Sequence, residues 1–213
     1  NMTDKHINLG DSYDRGECTD KLMLLYRIYF DGPNGKNPLH YIWGNHDILW
    51  MGAAIGNQAM IMTALRISMR YNNVDFLQRY GINLDKLKAY SHQHYQIVPW
   101  GEYAKKQKGE NTRVTAEDAI RMTKMLFVLE CKLTLKMLQE GMAQMQREQQ
   151  VDLWGIAEEL NRYQELMKLF PVGISEDQNQ WENFRKHNPL FLDCYFPTLN
   201  PHDPTALTDD ERV

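Results

Sequence analysis

The pattern of apolar and polar positions divides the chain into an alternating α/β beginning and a long helical remainder. His6 to Gly10 (HINLG) is a short strand-type run that ends at a glycine, which sets Asp11 at the strand's carboxyl end. From Thr19 to Phe30 the apolar residues Leu22, Leu24, Leu25, Ile28 and Tyr29 recur at helical spacing and cover one broad face. A turn-rich stretch from Asp31 to Pro38 follows, and Leu39 to Trp43 is a second apolar run that again ends at a glycine, Gly44. The expected arrangement is a β-α-β unit with neighbouring parallel strands. In open α/β sheets ligands gather beyond the carboxyl ends of such strands, so Asp11 and Asn45 are expected to meet there.

Downstream the spacing predicts helices over Asn57 to Tyr71, over roughly Asp85 to Ile97, and over a long segment opened by the capping pattern Thr115-x-x-Asp118. Met122, Leu126, Leu129, Leu133 and Met137 form a stripe along that long helix. It reads as helix packing rather than a cofactor surface. A further helix is expected over Ile156 to Phe170, followed by a polar stretch dotted with aromatics as far as Pro204. The fold class is thus α/β and helix-rich, with a core in residues 1–56, a helical region of the same domain in 57–170, and an irregular segment in 171–213. Thr208-Asp209-Asp210-Glu211 has the N-cap and acidic first turn of a helix. A strand entered near the first residue and a helix opened near the last lead us to expect part of a longer protein.

Composition narrows the function classes. A chain of 213 residues, 43% hydrophobic, can bury one sizeable core. The balance of 24 Lys+Arg against 28 Asp+Glu, a formal charge of -4, gives no global attraction for nucleic acid or an acidic membrane, so a bound anion must be held locally. Cys18, Cys131 and Cys194 are far apart and form no CxxC pair, which argues against a zinc knuckle or disulfide framework. Charge interrupts every apolar run before membrane-spanning length and no signal pattern opens the chain, so a cytoplasmic location is expected.

Two blocks carry the chemistry: Gly10-Asp11-Ser12-Tyr13-Asp14-Arg15-Gly16 and Gly44-Asn45-His46-Asp47. Either alone reads as a turn, a cap or a surface ion pair. Together, each after a strand and separated by one helix, they resemble the GDxxDRG and GNH[DE] blocks of the calcineurin-like metallophosphoesterases. Asp11 can bridge two divalent cations and offset their repulsion, and Asn45 can add a carbonyl oxygen. Such oxygen ligands suit a hard cation such as manganese, while histidines elsewhere would admit iron or zinc. Arg15 offers a planar fork for two phosphate oxygens. His46 is positioned to protonate the leaving alkoxide, with Asp14 orienting its ring, and the expected nucleophile is a metal-bound hydroxide attacking in line.

The resemblance extends to the class III fructose-1,6-bisphosphatases of bacteria through Trp43 to Ala54, Arg70-Tyr71-Asn72-Asn73, Tyr80 to Leu84, and Phe196 to Pro201 with Ala206-Leu207-Thr208. It implies hydrolysis of the 1-phosphate of fructose 1,6-bisphosphate, activation by Mn2+ and a place in gluconeogenesis. It also implies Asp11 and Asn45 as metal ligands, Arg15 as the phosphate contact, and His46 with Asp14 as the acid pair. The family's D-x-H strand and late histidines are not recognisable. Asp4-Lys5-His6 spells D-x-H, but at about 3.3 Å per residue Asp4 lies about 23 Å from Asp11 and cannot share a metal with it. Glu17 stands where the motif often has proline, and His92, His94 and His202 are ligand candidates only by default.

Residues 1–213 alone are therefore expected to show little turnover, and a bare sheet edge leaves self-association as a homo-oligomer open. Two alternatives remain. One is another phosphoesterase, a dinucleoside polyphosphate hydrolase or protein phosphatase. The other is a non-catalytic helical interaction module with a vestigial site, in which Trp50, the methionines and the aromatic tail form a partner surface.

Overall fold

The computed structural model describes residues 6–16, 18–32, 38–95, 114–147, 161, 203 and 205–212. Strand β1 (His6–Asn8) pairs in parallel with β2 (Leu39–Tyr41), in the register His6 to Leu39, Ile7 to His40 and Asn8 to Tyr41. Helix α1 (Thr19–Phe30) connects them with the bounds the apolar spacing predicts. Both strands end two residues earlier than expected. At Gly10 the chain enters the left-handed region with φ 96°, and the two strand ends curl toward each other instead of extending the ladder.

The apolar side of α1 is not covered within this unit. Leu24, Leu25 and Ile28 are each more than half exposed, as are Ile7, Leu9, Ile42 and Trp43 around the strands. A parallel sheet is normally covered on both faces, and two short strands among the described residues give these side chains no layer to pack against.

The helical part forms as its caps dictate. Helix α2 (Asn45–Ala54) opens at Gly44, α3 (Gln58–Arg70) is capped by Asn57, whose Oδ1 accepts from Met60 N at 3.0 Å, and α4 (Asp75–Arg79) is a single short turn. Asn83 caps α5 (Leu84–His94) through Lys86 N at 3.0 Å. Thr115 and Asp118 exchange bonds of 3.1 and 3.2 Å at the head of α6 (Ala116–Arg147).

Helix α2, which begins at Asn45, is not among the elements that the apolar spacing predicts. It carries no clean apolar stripe: Gly52 is buried against Met60 while Ile48 and Met51 face outward. The stripe on α6 is core, as its spacing predicts. Met122, Leu126 and Leu129 are buried in one cluster with Leu65, Met69 and Leu77 of α3 and α4, at roughly 1.5–3 kcal/mol for each large side chain, and Leu133 is buried further along α6. Only Met137 reaches the surface, where its sulfur accepts from Asn57 Nδ2.

The helix expected over Ile156 to Phe170 and the stretch from 171 to Pro204, Cys194 included, lie outside the described residues apart from isolated positions. Cys18 is exposed and Cys131 buried, and neither forms a disulfide among the described residues. Among the described residues no helix is long and apolar enough to cross a membrane.

Near the end, Thr208 and Glu211 form a capping box, with Thr208 N donating to Glu211 Oε2 at 2.8 Å, and a single 3-10 turn follows over Asp210–Arg212. The Glu211 carboxylate also takes Lys132 Nζ at 2.8 and 3.0 Å, with both side chains fully buried. Glu211→Ala removes this counter-charge, and in denaturant unfolding of the full-length protein it is expected to cost about 3–5 kcal/mol, with Glu211→Gln intermediate.

Candidate functional site

The site is built where the two strands end. Asn8, buried at the last position of β1, donates through Nδ2 to Ser12 Oγ at 2.8 Å and Tyr26 OH at 2.6 Å, and its Oδ1 accepts from Gly10 N at 2.7 Å. The loop beyond holds Asp11, Arg15 and Cys18 at φ of 53°, 55° and 59°. Non-glycine residues in this left-handed region cost about 1–3 kcal/mol each and persist only where their surroundings hold them. Here Asp14 N donates to Asp11 O at 3.1 Å, Asn73 Nδ2 donates to Gly16 O at 2.8 Å, and the Arg15 guanidinium lies 5.2 Å from the centre of the Tyr71 ring.

The second loop reaches the first because both have a glycine at the crossing. A Cβ on Gly10 would overlap the Gly44 backbone, and one on Gly44 would overlap the Asp11 carboxylate. Gly44→Ala should therefore displace Asp11 by a fraction of an ångström or more. A shift of about 1 Å at a reacting centre costs on the order of 100-fold, so activity of the full-length protein should fall by about that factor while its thermal midpoint drops far less. Kinetics and melting of the variant check both.

Asp47, 1% exposed in the first turn of α2, ties these loops together. Its Oδ2 accepts from Asp11 N at 2.6 Å and Gly44 N at 2.9 Å, and its Oδ1 accepts from Ser12 N and Tyr41 OH, each at 3.0 Å. In return Asp11 Oδ1 accepts from His46 N at 3.1 Å, which caps the start of α2. Asn45, the first residue of α2, is exposed beside it.

Asp14 stands between the other two candidates. Its Oδ1 lies 3.1 Å from His46 Nε2 and 3.0 Å from Arg15 Nε. His46 is mostly buried, and its Nδ1 has no partner among the described residues. Burial is the main cause that raises the phenols nearby: Tyr13 is raised further by the Asp47 charge, and Tyr41 reaches about 12 because the Asp47 hydrogen bond and charge outweigh the opposing bond to Ser12. Both phenols remain neutral donors at physiological pH.

The structure thus brings Asp11, Asn45, Asp14, Arg15 and His46 to one place. It takes the default candidates elsewhere. His6 lies against the rings of Tyr26 and Tyr29, with centroids 5.6 Å away, and Asp4 is outside the described residues. His92 pairs with Asp118 at 2.6 Å and His94 faces Asp210 at 3.7 Å. Burial favours the neutral form of Asp118, but hydrogen bonds from Lys88, His92 and Thr115 outweigh it and hold the carboxyl well below its usual range. His202 is outside the described residues, among which no group of three or more His, Cys, Asp or Glu could hold a metal ion.

Sequence reasoning missed the supporting set, Asn8, Asp47, Tyr71 and Asn73. A polar residue in an otherwise apolar strand, and an acid three positions after Gly44, were the available signals.

These features define a helix-rich α/β protein with Asp, Asn, Arg and His side chains gathered at the carboxyl ends of two parallel strands. The chain belongs to the firmicute fructose-1,6-bisphosphatase family, whose model matches residues 2–213. It is similar to the class 3 fructose-1,6-bisphosphatase of Listeria monocytogenes serovar 1/2a, 31% identical over 211 residues that cover 97% of this chain and 28% of that protein. The class 3 enzyme of Clostridioides difficile strain 630 is 31% identical over 213 residues, 99% of this chain and 28% of the relative. That of Phocaeicola vulgatus is 29% identical over 208 residues, 96% of this chain and 27% of the relative. The chain therefore spans little more than a quarter of the curated relatives it matches. No solved structure matches it.

Proposed function

We propose that the full-length protein containing this chain is a metal-dependent phosphomonoester hydrolase that removes the 1-phosphate of fructose 1,6-bisphosphate, a step of gluconeogenesis in the bacterial cytoplasm. The observation that carries this reading is the convergence of Asp11, Asn45 and the Asp14–Arg15–His46 group at two strand ends, in a chain of this family.

The donor chemistry fits a hard divalent cation such as Mn2+. Asp11, in the loop after β1, and Asn45, at the head of α2, present a carboxylate and a carboxamide, and both residues are exposed. Two donors do not complete a coordination sphere, so the other ligands come from outside the described residues. When bound, the cations supply Lewis acidity toward the phosphoryl group and the attacking water.

The chain's own residues do the rest. Arg15, half exposed and steadied by Asp14 and Tyr71, donates to phosphate oxygens through the terminal N–H groups of its guanidinium edge. Asp14 Oδ1 faces His46 Nε2 at 3.1 Å and orients the ring, and the His46 imidazole is the group that supplies a proton to the departing sugar oxygen. The neutral Tyr41 phenol donates to the Asp47 carboxylate, and the Tyr13 phenol lies within the influence of its charge.

Phosphate release by the full-length protein, with Mn2+ present, from fructose 1,6-bisphosphate, a diadenosine polyphosphate and a phosphopeptide tests the proposal. Preference for the sugar bisphosphate by at least tenfold in kcat/KM is expected. Preference for either other substrate would move the protein to another phosphoesterase class, and no release from any would favour a non-catalytic role.

A further inference from the structure

We infer that Asp47 is a positioning residue for this site: its carboxylate locks the loops after β1 and β2 together and thereby sets Asp11 and Asn45 for a divalent cation. The inference deepens the functional reading above and rests on it.

Asp47 itself is not placed to bind a metal. Its carboxylate is buried and both oxygens are already taken, each by two donors. Three of those donors are backbone amides: those of Asp11 and Ser12 belong to the loop that carries Asp11, and that of Gly44 immediately precedes Asn45 at the head of α2. The Asp11 amide is the most consequential. Asp11 holds φ at 53°, a conformation an aspartate keeps only when its surroundings fix it, and the 2.6 Å bond to Asp47 fixes it from one side. The 3.1 Å bond from His46 N to Asp11 Oδ1 fixes it from the other. The two aspartates thus form a reciprocal clasp: Asp47 accepts from the backbone of the loop after β1, and Asp11 accepts from the backbone of the first turn of α2.

The clasp also fixes which Asp11 oxygen remains available. Oδ1 is engaged by His46 N, and no described contact engages Oδ2. All four donors on Asp47 are neutral, so its charge adds to the negative potential that draws a cation to Asp11 and Asn45.

Asparagine at position 47 cannot reproduce this arrangement. Its single oxygen can serve the Asp11 and Gly44 amides, and Tyr41 OH can turn to accept, but its NH2 group then faces the Ser12 amide, donor against donor. Tyr41→Phe is milder, removing one bond and leaving the carboxylate and the three amides in place.

The test uses the full-length protein with two readouts. Mn2+ affinity is measured by calorimetric titration, and protection of the Asp11, Ser12 and Gly44 amides is followed by hydrogen exchange on the metal-free protein. Asp47→Asn is expected to weaken Mn2+ binding roughly 10- to 100-fold, as is usual when a partner behind a metal ligand is lost, and to speed exchange at Ser12 most. At saturating Mn2+ part of the lost kcat should return, while KM for the sugar bisphosphate, governed by Arg15, changes little.

Tyr41→Phe should weaken Mn2+ binding only a few-fold and remain folded, which keeps the inference testable if Asp47→Asn unfolds. Wild-type Mn2+ affinity in Tyr41→Phe and in any folded Asp47→Asn overturns the inference, as does exchange at the three amides that is fast in the wild type. If the wild type binds no Mn2+ while those amides are protected, the metal reading fails and this inference falls with it, but the clasp stands as a purely structural device.

Discussion

Asp11→Asn in the full-length protein is expected to lower turnover of fructose 1,6-bisphosphate by about a thousandfold or more and to weaken Mn2+ binding. Lewis-acid stabilisation is worth several kcal/mol, and each 1.4 kcal/mol or so is a factor of ten in rate. Asparagine keeps the oxygen that accepts from His46 N, so the loop geometry survives while the negative charge is lost. Arg15→Ala provides the contrast. It should raise KM and lower kcat with Mn2+ binding intact, because the Arg15 side chain touches Asp14 and Tyr71 and neither candidate ligand. Titration and steady-state kinetics on both variants separate the two roles. An Asp11→Asn protein with wild-type metal content and turnover would remove Asp11 from the site.

The contrast works because the two residues occupy one loop, between β1 and α1, but look to different partners, and this division could be read in the sequence only in part. Apolar runs closed by Gly10 and Gly44 were enough to expect parallel strands with an intervening helix, and α1 forms over Thr19–Phe30 as its spacing demands. Caps at Asn57 and Thr115 set the starts of α3 and α6 in the same way, since both are local signals carried by neighbouring residues. Helix α2 escaped because what it buries is an aspartate and a glycine, Asp47 and Gly52, so hydrophobic periodicity carried no sign of it.

The outward side of α1 shows the complementary limit: periodicity marks a face able to be covered and says nothing of the cover. At the site, spacing named the groups suited to metal and phosphate, but the bonds from Asp11, Ser12 and Gly44 to Asp47 join positions far apart in the chain or depend on a backbone turn. Side-chain types alone do not encode those. Asn73, which holds Gly16 O from the end of α3, lay in a recognised block without a role for the same reason.

His46→Gln is expected to reduce turnover of the sugar phosphate by about 100- to 10,000-fold, the usual contribution of a positioned general acid. Glutamine places its terminal amide near the former Nε2, so contact with Asp14 can persist while the imidazole that would donate the proton is removed. The loss should depend on the leaving group. An alkoxide departing from a sugar needs a proton, whereas a nitrophenolate does not, so the same variant should lose less than tenfold on an aryl phosphate. Asp14→Asn should behave differently again: Asp14 Oδ1 faces both His46 Nε2 and Arg15 Nε, so its loss should lower kcat and raise KM together. Combined with His46→Gln it should lower kcat little beyond the single His46 change, because the two act on one proton. Equal losses of His46→Gln on sugar and aryl phosphates would show that His46 does not protonate the leaving group, and would return the Asp14–His46 pair to a structural role in holding Arg15.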